Sequence, residues 1–390
     1  MNRATKNINN SSLLAFGVWL ALAGAAAVRT SLRPESHTVF PLFAASAVHW
    51  WNDQPLYANY EPLDYFRYPP LFAVAVTPFS ALGLVAGGIL WTWLGMAVYA
   101  AGLYRFARDV LPGGWARART ALFLALGALG GLRGIWNAQS NALVVGLLLL
   151  AASAVVRRRW WTAASLLAGS VWIKLTPLAP ALLLCALWPR RLAGRFVVAL
   201  AVGFLAPLLT RPPETVLGHY REWAGHLRHS GSERWPGFRD GWTVWVVLRH
   251  VAAGETGPVP LREPIDAAWY RGLQLASAAG VLAWCLGQRR RGTPVQRLVY
   301  ETLGVGFAWL MLFGPAVEHA TYVFLAPPLL AGVLGAEAWP RGRWLIRAAF
   351  VLVMVLGWGA LTRPLQDAFP PVLLALPLGT ALFLAWLILP

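Results

Sequence analysis

The sequence predicts an all-α integral membrane protein, a multi-span bundle of helices with two long outer loops. Three observations lead to this class. The chain is 58% hydrophobic and only 13% charged, whereas soluble domains carry about a quarter charged residues. Many apolar runs reach the ~20 residues that a helix needs to cross a bilayer. Short loops rich in arginine alternate with these runs, as in a chain that crosses a membrane repeatedly.

The net charge of +17 reports topology rather than a nucleic-acid partner. Of the basic residues, 19 fall in short loops on one side, accompanied there only by Asp109, Glu301 and Glu337. The positive-inside rule assigns that side to the cytoplasm. We therefore expect the lipid bilayer as a partner and no nucleic acid. The basic loops hold Arg3, Lys6, Arg105, Arg108, Arg117, Arg119, Arg157–Arg159, Arg190, Arg191, Arg195, Arg289–Arg291, Arg297, Arg341, Arg343 and Arg347.

Apolar runs and charge bias together predict ten full crossings and one hairpin in a cell (inner) membrane, with both ends cytoplasmic. The first run lacks a small-residue cleavage site and reads as a retained anchor. Residues 1–390 form a single membrane domain, with outer loops at about 30–68 and 210–266. The predicted crossings are Ser12–Val28, Pro69–Tyr104, Thr120–Leu132, Ala142–Val156, Phe196–Leu209, Ala268–Leu286, Leu298–Gly314, Tyr322–Leu334, Leu345–Leu361 and Val372–Leu389.

Two segments do not fit a single straight crossing. The stretch Pro69–Tyr104 is too long for one helix, and Pro78 with the Gly-rich bend at 83–88 predicts a kinked or two-piece segment. The stretch Trp160–Trp188 has arginine clusters on both sides, so it enters and leaves by the same face. Lys174-Leu175-Thr176-Pro177 divides it into two short pieces. A hairpin bent toward the outer side fits this pattern.

The unusual polar residues all fall on the predicted outer face, which indicates a site there. The first outer loop holds four carboxylates, an outer turn holds Asn137–Asn141, and Lys174 lies at the hairpin bend. Glu318 and His319 lie at another outer turn. Ionisable groups within a membrane domain tend to line a cavity. An ammonium at Lys174 suits a phosphate near the headgroup layer.

Each of these groups also has a purely structural interpretation. Lys174 could be a lysine whose ammonium extends from a helix end to the interface. His319 could carry a proton or bind substrate, or it could cap the next span. Gln139 and Asn141 could bind sugar hydroxyls, or their turn could satisfy helix ends.

No cofactor, metal or redox site is predicted. Cys185 and Cys285 lie inside apolar runs, so we expect no disulfide. His226 and His229 have a spacing that metals accept, but no third ligand follows at a matching distance. We therefore prefer a solvated loop for these two histidines.

Four short motifs resemble glycosyltransferase family 87, which comprises polyprenol-phosphate-mannose-dependent mannosyltransferases and relatives of GT-C architecture. Arg67-Tyr68-Pro69-Pro70-Leu71-Phe72 is similar to its YPPL segment. Ala138-Gln139-Ser140-Asn141 is similar to its GQxN turn, and Ile173–Pro177 to its KxxP hairpin. Gly314–His319 is similar to its S-P-x-x-x-H element. The motifs span residues 67 to 319 in the family's order.

The resemblance implies an inverting transfer of a mannose-like sugar from a polyprenyl-phosphate-linked donor to a hydroxyl of a glycan or glycolipid acceptor, at the outer, periplasmic face. A carboxylate of the first outer loop serves as general base, and cationic groups hold the leaving phosphate. We expect Lys174, Arg67, Tyr68, Gln139, Asn141, Glu318 and Arg249 to bind substrate, and Glu35, His37 and His319 to be the catalytic candidates.

The sequence departs from the family pattern at the base. Aligning Phe43-Ala44-Ala45 puts Thr38 where the family has its aspartate, so Glu35 or His37 is the nearest replacement, with Asp53, Glu61 and Asp64 further on. A second departure is Asp240–Thr243, where family members more often have an Asn-Gln-Ser-like sequence. Arg249 follows this segment.

Two other functions compete with the enzyme. A transporter or flippase of lipid-linked saccharides also needs a polar cavity, but it predicts internal repeats and polar residues near mid-bilayer. The chain shows neither clearly. A catalytically inactive relative would keep the fold and lack the base, as Thr38 suggests.

Overall fold

The described part of the chain is helical throughout. The computed structural model describes residues 3–35, 39–58, 60, 63, 65–111, 115–230, 243–244, 268–314, 317–335, 342–357, 364–365, 372 and 374–389, without the side chains of 3–10 and 228–230. Within these ranges there is no strand. The prediction of an all-α bundle is therefore confirmed. Its helices are α1 Arg3–Leu32, α2 Phe40–Trp51, α3 Pro70–Ser80, α4 Gly83–Asp109, α5 Arg117–Trp136, α6 Asn141–Val156, α7 Trp160–Ile173, α8 Leu178–Leu187, α9 Gly194–Leu205, α10 Pro213–Ser230, α11 Ala268–Arg290, α12 Val295–Phe313, α13 Ala326–Leu334, α14 Arg343–Phe350 and α15 Ala375–Ile388.

Four stretches of the described chain are long and apolar enough to cross a membrane, which identifies a membrane protein. They are Ser11–Leu32, Gly83–Asp109, Arg117–Trp136 and Pro189–Leu209, the last including the turns on either side of α9. Shorter apolar helices of 10–17 residues are α3, α6, α8 and α15. The count of ten crossings and the cytoplasmic placement of both ends stay predictions.

The segment 69–104 does form two pieces. Helix α3 ends at Ser80, and α4 begins at Gly83, whose backbone has φ +77°. Glycine adopts this left-handed conformation without steric cost. Pro78 lies inside the last turn of α3 and does not mark the break. The break therefore depends on the glycine.

The chain also divides at Lys174–Pro177, as predicted, into α7 and α8. The Trp160 and Trp188 rings, which mark the start of α7 and the residue after α8, have centroids 6.2 Å apart. Both helices therefore start and finish at the same end of the bundle. Between these ends they separate, because α7 packs on α6 and α9 whereas α8 packs on α11 and α12.

Both predicted outer loops contain a helix that the sequence analysis did not identify. Helix α2 lies in the first loop, with Phe40, Phe43 and Trp50 essentially inaccessible to solvent. Helix α10 lies in the second loop. Twelve residues are too few to cross a bilayer, so a search for spans passes over α2 although its apolar residues are buried.

Two apolar clusters organise the described residues. The larger one runs through the bundle from α4, α6 and α7 to α12–α15. The smaller one, the loop cluster, joins α2, the segment 56–72 and the start of α10. In the loop cluster the Phe43 ring packs edge-on against Tyr68, Phe72 and Trp91 at 4.8–5.6 Å. This packing fixes the first loop on the end of α3 and α4.

Candidate active site

Lys174 lies where α7 ends, and its backbone is extended instead of helical (φ −151°, ψ 138°). The next residues lead into α8, so the side chain projects from a break between two helices. Its Nζ donates a hydrogen bond to Asn141 Oδ1 at 2.9 Å. The half-buried ammonium thus contacts a neutral amide oxygen at this position.

Two amides link Lys174 to a carboxylate on a different connection of the bundle. Asn141 Nδ2 donates to Gln139 Oε1 at 2.8 Å, and Gln139 Nε2 donates to Glu318 Oε2 at 3.4 Å. A lysine only donates and an ionised carboxylate only accepts, so the two ends fix the direction of both amides. We call Lys174, Asn141, Gln139 and Glu318 the amide chain.

Glu318 is itself held by local backbone geometry. It precedes a 3₁₀ segment, His319–Phe324, and forms a capping box with Thr321. In this box the Glu318 side chain accepts from the backbone N–H of Thr321, and Thr321 Oγ1 accepts from the Glu318 N–H at 3.2 Å. A capping box satisfies two otherwise unpaired donors. The carboxylate therefore has a fixed position facing Gln139.

The turn that carries Gln139 and Asn141 is held from two sides. Trp91 Nε1 on α4 donates to the Ala138 carbonyl at 3.0 Å. The Val39 N–H donates to the Asn137 carbonyl at 2.9 Å, which ties the first loop to this turn. Ala138 has φ +50°, a conformation that favours glycine. The turn keeps a strained residue at the point where the two amides are presented.

Arg67 and Tyr68 join the site through the loop cluster. Both are half-buried, and the Tyr68 ring stacks on Phe72 at 4.7 Å. Trp223 Nε1 on α10 donates to the Arg67 carbonyl at 3.3 Å. Glu318 and Arg67 both act electrostatically on Lys174. The two cations therefore share a region with one carboxylate.

His319 contacts Arg133, a residue that the sequence analysis missed. Arg133 lies in the last turn of α5, and its guanidinium hydrogen-bonds His319 Nδ1. A guanidinium only donates, so Nδ1 accepts and the ring proton is at Nε2. Burial, and then the charge of Arg133, lower the pKa of His319 to about 3. The imidazole is neutral at physiological pH. The sequence contained a signal for Arg133, because this arginine lies at the opposite end of its span from the basic loops.

The remaining predicted residues are not brought into this network by described contacts. Glu35 follows the end of α1 and is exposed. His37, Thr38, Glu61, Asp64 and Arg249 lie outside the described residues, as do 240–242 of the second departure. Asp53 is exposed at the end of α2 with φ +56°. Of the first-loop carboxylates, Glu35 is therefore the described one nearest in sequence to the tie at Val39.

The two histidines considered for metal binding lie in α10, which corrects the expectation of a solvated loop. His226 is half-buried, and its ring centroid is 6.1 Å from that of Tyr57 and 5.8 Å from that of Tyr65. Amphipathic packing of α10 on the first loop produces this burial. The described residues contain no cluster of three groups that could hold a metal. Cys185 and Cys285 are buried and free.

The chain matches the model of one protein family and is similar to two solved structures. The chain is similar in structure to ArnT from Cupriavidus metallidurans bound to undecaprenyl phosphate (TM-score 0.45, 16% identity, 96% of this chain and 76% of that one). It is similar to apo ArnT of the same organism (0.43, 16%, 99% and 77%). No protein with a curated function matches in sequence. The model of glycosyltransferase family 87 matches residues 66–315. The match covers three of the four motifs and the first two residues of the fourth, Gly314–His319, and the chain belongs to glycosyltransferase family 87 as a membrane glycosyltransferase.

Proposed function

We propose that this glycosyltransferase moves a mannose-like sugar from a polyprenyl-phosphate-linked donor to a hydroxyl of a glycan or glycolipid acceptor. The transfer inverts the anomeric carbon and takes place at the outer face of the membrane. The observation that carries the proposal is the amide chain, which links Lys174 to Glu318 through two neutral side chains. Family membership supplies the reaction class.

The donor phosphate is assigned to Lys174 and Arg67. Lys174 meets an amide oxygen instead of a carboxylate, so its positive charge is not neutralised at contact distance by the amide chain. Arg67 adds a second cation in the same region. Preorganised cations stabilise the charge that develops on a leaving phosphate, typically by several kcal/mol. This pair suits a polyprenyl phosphate as leaving group.

In the proposed reaction the acceptor hydroxyl oxygen bonds to C1 of the donor sugar. The bond from C1 to the phosphate oxygen breaks, and its electron pair leaves with polyprenyl phosphate. The hydroxyl proton passes to a general base, which needs only to accept it late in the attack. We assign the base to Glu35, with His37 as the alternative. Both precede Val39 closely in sequence, and the hydrogen bond from Val39 to Asn137 joins this part of the first loop to the turn that carries Gln139 and Asn141.

Other side chains position the sugar and acceptor. Gln139, Asn141 and Glu318 are assigned to sugar hydroxyls, Tyr68 to a face of the sugar or lipid, and Arg249 to substrate binding. His319 acts as a neutral hydrogen-bond donor through Nε2 instead of a proton carrier, because its pKa of about 3 disfavours protonation. Of the two functional roles that the sequence suggested for His319, this is substrate binding.

The polar groups of the amide chain are gathered at one end of the bundle, an arrangement that favours the enzyme over a carrier. A carrier alternates access across the bilayer around a site near its midplane. Whether the chain is an inactive relative depends on whether another residue acts as the general base, because Thr38 replaces the family's aspartate. An experiment with first-loop variants separates all three possibilities.

The test uses the purified full chain in lipid with radiolabelled polyprenyl-phosphate sugars and a membrane extract as the acceptor source. We expect transfer by the wild type, loss of about 10³-fold in Glu35→Gln, and loss of about 10²-fold or more in Lys174→Ala. The control is Lys6→Ala at the start of α1, which should transfer normally. His37→Ala identifies the alternative base.

Donor binding is measured in parallel with transfer. Binding of the lipid donor without transfer by the wild type would contradict the enzyme and favour a carrier or an inactive relative. Full activity in Glu35→Gln with none in His37→Ala would move the base to the histidine. Unchanged donor affinity in Lys174→Ala would contradict the phosphate assignment.

A further inference from the structure

We infer that the Arg-rich end of the bundle carries a binding site for an anionic phospholipid headgroup, separate from the amide chain. The site is a surface that we call the Arg–Trp patch. It lies where α7 begins and where α8 leads into α9. Its residues are Arg157–Arg159, Trp160, Trp161, Trp188, Arg190, Arg191 and Arg195.

Two arginine–tryptophan contacts join the start of α7 to the segment 190–195. The Arg191 guanidinium carbon lies 5.8 Å from the Trp160 ring centroid, and that of Arg195 lies 5.5 Å from the Trp161 centroid. Arg195 also donates to the Arg191 carbonyl. Contact with tryptophan restrains each guanidinium. Arg191 is exposed to solvent, whereas Arg195 is half-buried and uses one N–H group on the Arg191 carbonyl. The patch is therefore an ordered set of donors, not a group of unconstrained side chains.

Acidic groups are scarce around these arginines. Residues 157–195 contain no Asp or Glu. Among the described residues, the carboxylate that pairs with the patch is Asp109, which lies 3.8 Å from Arg157 and also accepts from Ser153. Arg190 and Arg191 are exposed. Bidentate guanidinium donors match the oxygens of a phosphate, so the chemistry favours an anionic phosphate ligand.

The neighbouring helix supplies a surface for the acyl chains of the same lipid. Helix α9 and the turn after it expose Val197, Val202, Leu205 and Leu209, with Leu209 89% exposed. Val202, Leu205 and Leu209 are spaced by three and four residues and so share one helical face, which continues the apolar surface that begins directly beyond Arg195. Basic pockets that adjoin lipid-facing helices bind anionic headgroups. This continuity of a cationic patch with an apolar face selects a lipid over a soluble protein.

The experiment measures lipid binding to the purified full chain in detergent by native mass spectrometry. The probes are dioleoyl phosphatidylglycerol, which is anionic, and dioleoyl phosphatidylcholine, which is zwitterionic with the same chains. We expect the wild type to prefer phosphatidylglycerol. Arg191→Gln/Arg195→Gln should bind it about 30-fold more weakly, and Arg191→Gln alone about fivefold more weakly, since each arginine near an anionic surface contributes about 1 kcal/mol.

The matched control is Arg289→Gln/Arg290→Gln at the end of α11, which removes the same charge from exposed positions. It should keep the preference of the wild type. Equal affinity of the wild type for both lipids would overturn the proposal, as would an equal loss in the control pair. The single variant Arg191→Gln decides the question if the double variant does not fold, because Arg191 is exposed.

Discussion

Lys174 contacts an amide oxygen, whereas Glu301, near the start of α12, is paired directly with a cation. Arg297 Nε lies 2.7 Å from Glu301 Oε1, one helical turn away on the same helix. Glu301 is buried. In the hydrogen bonds of the described residues, Lys174 is linked to a carboxylate through Asn141 and Gln139.

The difference separates a charge that is compensated within the fold, Glu301, from one that we propose to be functional, Lys174. A directly paired buried charge is compensated, and removing its partner leaves an unpaired ion that destabilises the fold. A charge held by neutral amides keeps much of its field for a ligand, at some cost to stability. The same ionic chemistry therefore predicts loss of activity in one region and loss of stability in the other.

Within this comparison of Lys174 with Glu301, the largest expected effect comes from making the amide chain resemble the Arg297–Glu301 pair. Asn141→Asp places a carboxylate against the Lys174 ammonium and compensates its charge. We expect kcat/KM for the lipid donor to fall about 100-fold, because the phosphate loses its electrostatic partner. Steady-state transfer at several donor concentrations measures it.

Asn137→Asp is the matched control for this change. It adds the same charge at the same turn, at a half-buried position whose carbonyl bonds Val39. We expect a much smaller fall in kcat/KM there. Equal losses in the two variants would show that Lys174 does not hold the phosphate.

Removing the partner of Glu301 should lower the stability of the fold and leave sugar transfer unchanged. Arg297→Ala leaves a buried carboxylate unpaired, so we expect the free energy of unfolding to fall by about 2 kcal/mol. This is less than for a fully buried pair, because the Arg297 side chain is 54% exposed. Thermal unfolding in detergent measures it. Adding Glu301→Gln should recover most of the loss. No recovery in the double variant would contradict a direct pairing, and Arg289→Ala is the control.

Acidification should destabilise the His319 region. The folded pKa of His319, about 3, is below that of an unfolded histidine, about 6.5. Protonation therefore favours the unfolded chain, and stability present above about pH 6.5 is lost as the pH falls toward 3. Between pH 8 and about pH 5 we expect the free energy of unfolding to fall by up to about 2 kcal/mol in the wild type, and we expect this fall to be absent in His319→Gln. The same loss in both proteins would contradict the assignment.

The smallest effect is expected at the strained turn. Ala138→Gly relieves a left-handed alanine, a strain of about 1–2 kcal/mol, but adds about 0.5–1 kcal/mol of chain entropy cost. We expect a gain in stability of about 0.5 kcal/mol by thermal unfolding. Ala142→Gly, in the helical backbone of α6, should instead lose about 1 kcal/mol. Destabilisation at both positions would contradict strain at Ala138.

Several features of the fold followed from the sequence because they depend on local chemistry. Apolar runs and clustered arginines predicted helical membrane spans, and Lys174–Pro177 predicted the division into α7 and α8. Helices α2 and α10 escaped prediction because their burial depends on partners distant in sequence. Trp50, for example, donates to Thr210 at 3.2 Å, across 160 residues.

The candidate site divides in the same way. The sequence by itself determined which residue types were available, because a lysine, two amides and a Glu-His pair at turns already indicate a polar site. Only the tertiary structure decided that Lys174, Asn141, Gln139 and Glu318 form one directed chain and that Arg133 contacts His319. Hydrogen bonds require atoms within about 3 Å, and for residues 33 to 186 positions apart only the packing of helices sets that distance.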